Sequence, residues 1–274
     1  MKVAIAGLGL IGGSFAKAIA AKTRHSVFGY DASAEVARRA YESGLLDDCG
    51  LERFSEAELV LVALYPRAAV EFLRQNARKF KPGAIVIDLC GVKRFVVGEV
   101  GGLFDGVTYI GGHPMAGREL SGFAASQATL FDGASMILTP GDATPEDALI
   151  TAENFFLSVG FSKITIATPE RHDEMIAFTS QMAHIVSSAY AQNPVVYSFD
   201  GFSAGSFADM TRVAKLNEDM WTELFMLNRD YLTEQLDILI ENLSGFREHI
   251  SSGDAERLRA MLRRGREIKE NISK

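Results

Sequence analysis

The stretch KVAIAGLGLIGG, Lys2–Gly13, decides the fold of this chain. A short apolar run ends in glycines at positions 7, 9 and 12, and a helical pattern then continues to Ala21. In such a G-x-G-x-x-G turn the first glycine allows a tight bend, the second lets a phosphate reach the backbone, and the third lets the helix pack closely on the strand. The N-terminus of that helix attracts anions. The stretch therefore predicts a strand, a turn and a helix that together bind a dinucleotide.

Asp31 is the second sign of a dinucleotide site. It closes the second predicted strand, 19 residues after Gly12, where a carboxylate can accept hydrogen bonds from ribose hydroxyls. An acid there would repel a 2′-phosphate, and residues 32–34 include no arginine. The predicted cofactor is therefore NAD rather than NADP, and the alternative is a domain of this fold that no longer binds a nucleotide. The residues predicted to bind the cofactor are Gly7, Leu8, Gly9, Leu10, Ile11, Gly12 and Asp31.

Beyond this unit, β-rich runs alternate with helical patterns as far as Thr168. The alternation predicts βαβ units and a mostly parallel sheet. The predicted fold class is α/β, with an N-terminal Rossmann dinucleotide-binding domain over residues 1–168 and a C-terminal all-helical domain over residues 169–274. The β-rich runs cover residues 2–7, 26–31, 59–66, 83–90, 107–112, 134–139 and 163–168.

The part of the chain after Thr168 predicts only helices. Thr168 and Pro169 have the form of an N-cap followed by a proline in the first helical turn, and Pro194 would end this helix at about residue 193. Broad apolar faces on the later helices fit either a second core or a dimer interface. Those later helices are predicted around residues 208–216, as one long amphipathic helix from Glu218 to Leu243, and over residues 254–272.

Composition and charge limit the kinds of molecule that we expect the protein to bind. Hydrophobic residues make up 47% and charged residues 23% of the 274, which is ordinary for a globular protein. The net charge of −7 opposes binding to nucleic acid, whose binding proteins carry a basic face. The longest apolar run, Leu59–Tyr65, is too short to cross a membrane, no signal-peptide pattern is present, and the two cysteines, Cys49 and Cys90, suit a reducing compartment. We expect a cytoplasmic protein that acts on a small molecule and has no metal site.

His113 is the candidate base for the oxidation of a substrate by NAD. An imidazole titrates near neutral pH, so it can take a proton from the substrate as hydride departs. His113 follows the predicted strand 107–112, at the edge where open α/β sheets bind their ligands, and Pro114 would stiffen the loop after it. A capping or turn histidine is the alternative interpretation.

Four further polar residues could complete a pocket. His172, Ser180 and His184 lie on the predicted helix 169–193, and Ser180 and His184 share one face because they are one turn apart. Arg212 could hold a carboxylate with both arms of its guanidinium group. Each of these residues could equally belong to the solvent-facing side of its helix.

Four stretches in this order give the chain a specific resemblance to prephenate dehydrogenases of the tyrosine pathway: GLGLIGGS, GGHPMAGRE, ERHDEMIAFTSQMAH and DMTRVAKLNEDMW. The resemblance runs from the first strand to at least Trp221. It implies oxidative decarboxylation of prephenate to 4-hydroxyphenylpyruvate, CO2 and NADH, by a homodimer joined through its helical domain. It also implies that the glycines around the histidine let the backbone and the cofactor approach closely.

The resemblance assigns roles residue by residue. It implies that His113 accepts the proton of the ring hydroxyl and that Arg212 grips a substrate carboxylate. Ser180 and His184 would line the pocket, and His172 would support its edge.

This sequence departs from the family pattern at two positions. Gly91 stands where the family commonly has a serine, and Gln181 stands where it commonly has a histidine. Three rival functions stay open: an arogenate dehydrogenase, a related reductase or hydroxyacid dehydrogenase, and a noncatalytic NAD-binding sensor. An acidic pocket residue facing an amine would favour arogenate, a helix-borne catalytic lysine would favour the reductase, and absence of turnover would favour the sensor.

Overall fold

The computed structural model describes residues 1–118 and 120–272. Glu119, the last residue of the GGHPMAGRE stretch, lies outside the described residues, as do residues 273–274. Contacts between residues divide the chain into two compact units, Met1–Asn228 and Arg229–Lys274. No helix in the described ranges is long and apolar enough to cross a membrane.

One sheet dominates the first unit, and its strands are β1 (Lys2–Ala6), β2 (Ser26–Tyr30), β3 (Asp48–Cys49), β4 (Leu59–Val62), β5 (Ile85–Asp88), β6 (Thr108–Pro114), β7 (Ser135–Pro140) and β8 (Lys163–Ile166). Their order in the sheet is β3-β2-β1-β4-β5-β6-β7-β8. Strands β6 and β7 pair antiparallel, and the other neighbouring pairs are parallel. The predicted α/β class is confirmed, although the sequence does not predict the short strand β3.

Both faces of the central strands are buried. Along β1, Val3 and Ile5 belong to the core on one face of the sheet, whereas Ala4 and Ala6 belong to the core on the other. Successive side chains of a strand point to opposite faces, so a strand covered on both sides is apolar throughout. The helices between the strands provide that cover: α1 (Leu10–Lys22), α2 (Ala34–Glu42), α3 (Pro66–Asn76), α4 (Arg94–Val100) and α5 (Glu146–Ser158).

The helix predicted to start at Pro169 forms as expected, with one irregularity. It consists of α6 (Pro169–Ile176), a π-helical turn (Ala177–Gln181) and α7 (Met182–Ala191). The Thr168 hydroxyl accepts a hydrogen bond from the Arg171 N–H at 3.2 Å, so the predicted N-cap is confirmed. A π-helical turn holds one residue more than an α-helical turn, and it shifts the faces that the following residues present.

The prediction of one long helix from Glu218 to Leu243 is wrong. Two helices cover this stretch, α9 (Glu218–Leu227) and α10 (Arg229–Ser252). Asn228 separates them because its backbone leaves the helical region, at φ −125° and ψ 25°, while its side chain is completely buried and hydrogen-bonded. The other helices of the C-terminal part are α8 (Gly205–Thr211), which leads into a 3-10 turn (Arg212–Ala214), and α11 (Ala255–Ile272).

The glycines of the turn after β1 have different packing roles. Gly7 has a φ of +86°, which only glycine adopts readily, and its N–H donates to the Tyr30 carbonyl at 2.7 Å. A Cβ on Gly12 would overlap the Gly7 carbonyl oxygen and would lie 3.0 Å from Ile5 Cγ2. The third glycine of the motif thus permits the contact between α1 and β1 that the sequence predicts.

We expect Gly12→Ala to lower the free energy of unfolding by about 3 kcal/mol or more, because the added methyl group meets backbone that cannot move aside. Urea unfolding of the purified protein measures the change. Gly98→Ala is the matched control, since Gly98 is exposed on α4 and a Cβ there would meet no atom within 4 Å. That variant should gain about 0.5–1 kcal/mol from the better helix former. Equal stability of the two variants would contradict the packing role of Gly12.

Candidate active site

The N-terminus of α1 opens onto free space. Gly9 is its N-cap residue, and a Cβ at this position would meet nothing within 4 Å. The first hydrogen bond of the helix runs from the Gly13 N–H to the Gly9 carbonyl at 2.9 Å, and the preceding N–H groups of a helix have no partner within it. Open space beside such N–H groups fits a phosphate or pyrophosphate group.

The Asp31 carboxylate is hydrogen-bonded directly to the glycine turn. Its Oδ2 accepts the Leu8 N–H at 2.8 Å, and its Oδ1 accepts the Ser33 N–H at 2.8 Å. An ionised carboxylate can accept about four hydrogen bonds, so both oxygens can also accept from a ribose hydroxyl. The turn and the carboxylate are therefore held in one fixed arrangement that suits a dinucleotide.

His113 lies within a strand and not on a loop. Strand β6 continues through Pro114, and His113 pairs with Ile137 of β7. The glycines before it have a packing role inside the sheet. A Cβ on Gly112 would lie 2.7 Å from both the Asp88 carbonyl oxygen and Met136 Cε. These contacts require glycine for packing inside the sheet, and they hold the imidazole on a rigid element.

A chain of hydrogen bonds links His113 to a buried carboxylate. Its Nδ1 lies 2.8 Å from His172 Nε2, and His172 Nδ1 lies 2.7 Å from Asp173 Oδ1. His172 and Asp173 are on α6, and both side chains are buried. The sequence places His172 at the edge of the pocket, but it does not identify Asp173, whose visible signal is its position next to His172 in the RHD stretch.

Asp173 also caps helix α4. Its Oδ1 accepts the Lys93 N–H at 2.7 Å, and its Oδ2 accepts the Arg94 N–H at 2.9 Å. Burial alone would raise the pKa of the Asp173 carboxyl group, but the hydrogen bonds from His172, Lys93 and Arg94 hold it below its ordinary 3.8. The carboxylate is therefore ionised, and it joins α6 to the start of α4.

A second charged pair contacts the strand that carries His113. The Lys93 side chain is completely buried and is paired with Asp88, and it also donates to the Gly112 carbonyl. The Tyr109 hydroxyl donates to Asp88 Oδ2 at 2.6 Å. These bonds connect β5 and β6 to the residue that precedes α4.

The surroundings of His113 keep its ring neutral. Burial is the main cause that lowers its pKa well below the ordinary 6.5, and His172 and the Lys93 ammonium lower it further. Burial also lowers the pKa of His172, although the hydrogen bond with Asp173 opposes that shift. Because a neutral imidazole has one free lone pair, His113 can act as a proton acceptor at neutral pH.

The other predicted pocket residues are arranged around α7. The His184 Nδ1 lies 3.0 Å from the Val213 carbonyl oxygen, on the 3-10 turn that begins with Arg212, and its ring centroid lies 3.9 Å from that of Trp221. Arg212 is exposed, and Ser180 is partly buried on the π-helical turn. The structure therefore brings His113 together with His172, and His184 together with the turn of Arg212. Ser180 lies four residues before His184 and joins neither hydrogen-bonded group within the described ranges.

Two family models match consecutive parts of the chain. One, described as "Prephenate dehydrogenase, nucleotide-binding domain", matches residues 15–165, and the other, described as "Prephenate dehydrogenase, dimerization domain", matches residues 168–264. The chain belongs to the prephenate dehydrogenase family.

Individual relatives cover almost the whole chain. A prephenate dehydrogenase of Bacillus subtilis (strain 168) is 30% identical over 286 residues, which cover 98% of this chain and 76% of that protein. The structure of prephenate dehydrogenase from A. aeolicus in complex with hydroxyphenyl propionate and NAD+ has a TM-score of 0.86 and 27% identity, and covers 99% of this chain and 98% of that one. The arogenate dehydrogenase of Synechocystis reaches a TM-score of 0.85 at 25% identity, covering 99% and 100%. Relatives named for two different substrates are thus similar to this chain to nearly the same degree.

The two residues that depart from the pattern of the prephenate dehydrogenase family, Gly91 and Gln181, both lie near Leu224. A Cβ on Gly91 would stand 3.9 Å from His113 Nε2 and 3.3 Å from Leu224 Cδ2. Gln181 is buried, its Nε2 donates to the Leu224 carbonyl at 3.2 Å, and its Oε1 accepts from Asn228 Nδ2 at 2.8 Å. Gln181 therefore fixes α9, and Gly91 allows the Leu224 side chain to pack close to the imidazole.

We expect Lys93→Met to lower the free energy of unfolding by about 3–5 kcal/mol, because it leaves the Asp88 carboxylate buried without a countercharge. Urea unfolding followed by circular dichroism measures this change. Arg38→Met is the matched control, since Arg38 pairs with Glu42 on the exposed surface of α2 and such pairs contribute about 0.3–0.5 kcal/mol. A loss below about 1 kcal/mol in Lys93→Met would show that the buried pair contributes little.

Proposed function

We propose that the protein catalyses the NAD-dependent oxidative decarboxylation of prephenate to 4-hydroxyphenylpyruvate, with CO2 and NADH as the other products. The observation that carries the proposal is the position of His113. Its neutral imidazole is fixed on β6, and its Nε2 lies 3.9 Å from the Cβ position of residue 91, a glycine that places no side chain against this atom. A fixed, neutral proton acceptor is what the oxidation of a ring alcohol requires.

NAD is the cofactor that fits the first half of the chain. Gly9 leaves room for the pyrophosphate at the start of α1, and Asp31 is placed to accept hydrogen bonds from the adenosine ribose. The A. aeolicus relative, whose structure contains NAD+, supports this assignment. When bound, NAD supplies the acceptor for the hydride that leaves the ring carbon.

His113 takes the proton of the ring hydroxyl at Nε2. Loss of that proton and of the hydride turns the alcohol carbon into a ketone. The carboxylate on the opposite ring carbon can then leave as CO2, because its bonding electrons complete an aromatic ring. The work of the protein is to orient the ring, hold its carboxylates and accept one proton.

Arg212 is the proposed ligand for a substrate carboxylate, with Ser180 and His184 lining the same pocket. A guanidinium group matches the two oxygens of a carboxylate, and the contact of His184 with the Val213 carbonyl, next to Arg212, supports this grouping. We also propose that the protein works in the cytoplasm as a homodimer joined through residues 169–274. The family description of the second half and the two free cysteines support this.

Arogenate is the second candidate substrate. The observation that favours it is the similarity to the Synechocystis arogenate dehydrogenase, which nearly equals the similarity to the A. aeolicus enzyme. Arogenate carries an amino group where prephenate has a keto group, and the proposed chemistry at the ring is the same for both.

We expect NADH to form when the purified protein is incubated with NAD and prephenate, and to form more slowly or not at all with arogenate. Absorbance of NADH measures both reactions in separate cuvettes. A preference for arogenate would transfer the function to the second candidate. Absence of turnover with both substrates, in a protein that binds NAD, would contradict the proposed activity.

The control that links turnover to the site is His113→Asn. This change should lower kcat by about 10²- to 10⁴-fold, the usual effect of losing a general base, and it should leave NAD affinity unchanged. Turnover close to that of the wild type would remove His113 from the mechanism.

We expect Arg212→Ala to raise KM for the substrate by about 10- to 100-fold, because a hydrogen bond between charged groups contributes about 1.5–3 kcal/mol. Arg212→Lys should recover only part of the affinity, since an ammonium group cannot bind both carboxylate oxygens in a planar fork. Steady-state kinetics at saturating NAD measure both effects. Arg74→Ala is the control, because Arg74 pairs with Glu99 on the surface. An unchanged KM in Arg212→Ala would argue against its role as a carboxylate ligand.

A further inference from the structure

We infer that His172 and Asp173 are positioning residues that hold the His113 ring with its proton on Nδ1, so that Nε2 is the atom that takes the substrate proton. The inference rests on the proposed role of His113 as the base. It depends on three side chains that are hydrogen-bonded in series. His113 Nδ1 lies 2.8 Å from His172 Nε2, and His172 Nδ1 lies 2.7 Å from Asp173 Oδ1.

The first step concerns Asp173, which can only accept hydrogen bonds. Its carboxylate already accepts the backbone N–H groups of Lys93 and Arg94, and these bonds favour the ionised form and fix its orientation. An ionised carboxylate carries no proton to donate. The 2.7 Å contact with His172 therefore requires the proton to be on His172 Nδ1.

The second step passes from His172 to His113. A neutral His172 with its proton on Nδ1 has a lone pair on Nε2, so its 2.8 Å contact requires a proton on His113 Nδ1. The reverse arrangement would need a doubly protonated His172. Burial and the Lys93 ammonium oppose such a cation, and together they outweigh the Asp173 and Asp88 carboxylates that favour it, so the pKa of His172 is lowered.

The third step concerns the free side of the His113 ring. Its Nε2 lies 3.9 Å from the Cβ position of residue 91, which is a glycine and brings no hydroxyl group to this atom. The tautomer is therefore set from the Nδ1 side by His172 and Asp173. When Nε2 gains a proton, both hydrogen bonds of the series become charge-assisted, and the ionised Asp173 stabilises the cation through His172.

Histidine NMR on the NAD-free protein tests the tautomer directly. In protein labelled with nitrogen-15 histidine, at a pH above the ordinary histidine pKa of 6.5, two-bond proton–nitrogen correlations report which ring nitrogen is protonated. His113→Asn assigns the His113 signals. We expect Nδ1 to be protonated and Nε2 to be unprotonated in both His113 and His172. A His113 ring protonated on Nε2 in the wild type would overturn the inference.

Two substitutions at position 172 separate positioning from packing. His172→Phe removes the acceptor for the Nδ1 proton, so the His113 signals should change to the other tautomer or to a mixture of both. His172→Gln should keep more of the original tautomer, because a glutamine amide oxygen can accept the same hydrogen bond. The His25 and His249 signals serve as internal controls and should stay unchanged. Retention of the original His113 tautomer in His172→Phe would also overturn the inference.

Kinetics supply a second readout once turnover is established. His172→Phe should lower kcat by about 10²-fold or more with little change in KM, because a base in the wrong tautomer still permits substrate binding. His172→Gln should restore a large part of kcat. An equal loss in both variants would indicate a packing role alone. The NMR result requires no turnover, so failure of the inference and failure of the proposed function are distinguishable.

Discussion

The buried carboxylate of Asp173 is the constraint on which the arrangement of the site depends. It accepts hydrogen bonds from the backbone N–H groups of Lys93 and Arg94, from the Arg94 guanidinium group and from His172. Burying an ion costs several kcal/mol unless its hydrogen-bonding capacity is used, and these donors offset that cost. Since the donors come from α4 and α6, the carboxylate fixes the helix that carries His172 against the helix that follows β5.

The sheet fixes the position of His113, as Asp173 fixes the position of His172. His113 lies on β6, which pairs with β5 on one side and with β7 on the other. The two residues before it are glycines at positions where a side chain would not fit. The buried pair of Lys93 and Asp88 binds the Gly112 carbonyl and the Tyr109 hydroxyl of this strand. The imidazole is thus held by rigid elements, and rigid elements position a reacting group more accurately than a loop does.

The sequence predicts those features whose cause is local. The glycine turn, the acid at the end of β2 and the Thr168 cap each depend on neighbouring residues, so their spacing is visible in the sequence. The break at Asn228 is not visible, because it depends on bonds to Asp173 and Gln181, which are distant along the chain. The continuation of β6 through His113 to Pro114 is not visible either, because it depends on pairing with β7, which only the folded sheet reveals. The sequence does not identify Asp173, because its backbone partners Lys93 and Arg94 are distant along the chain.

The two departures from the family pattern are physically coupled through Leu224. Gln181 holds the Leu224 backbone, and the Leu224 side chain lies 3.3 Å from the position that a Cβ on residue 91 would occupy. That distance is tighter than ordinary van der Waals contact, so a serine at position 91 would require the leucine to move. A glycine at 91 and a glutamine at 181 are therefore compatible with each other. Together they leave the Nε2 side of His113 without a side-chain hydroxyl from residue 91, and the orientation of the ring then depends on His172 and Asp173.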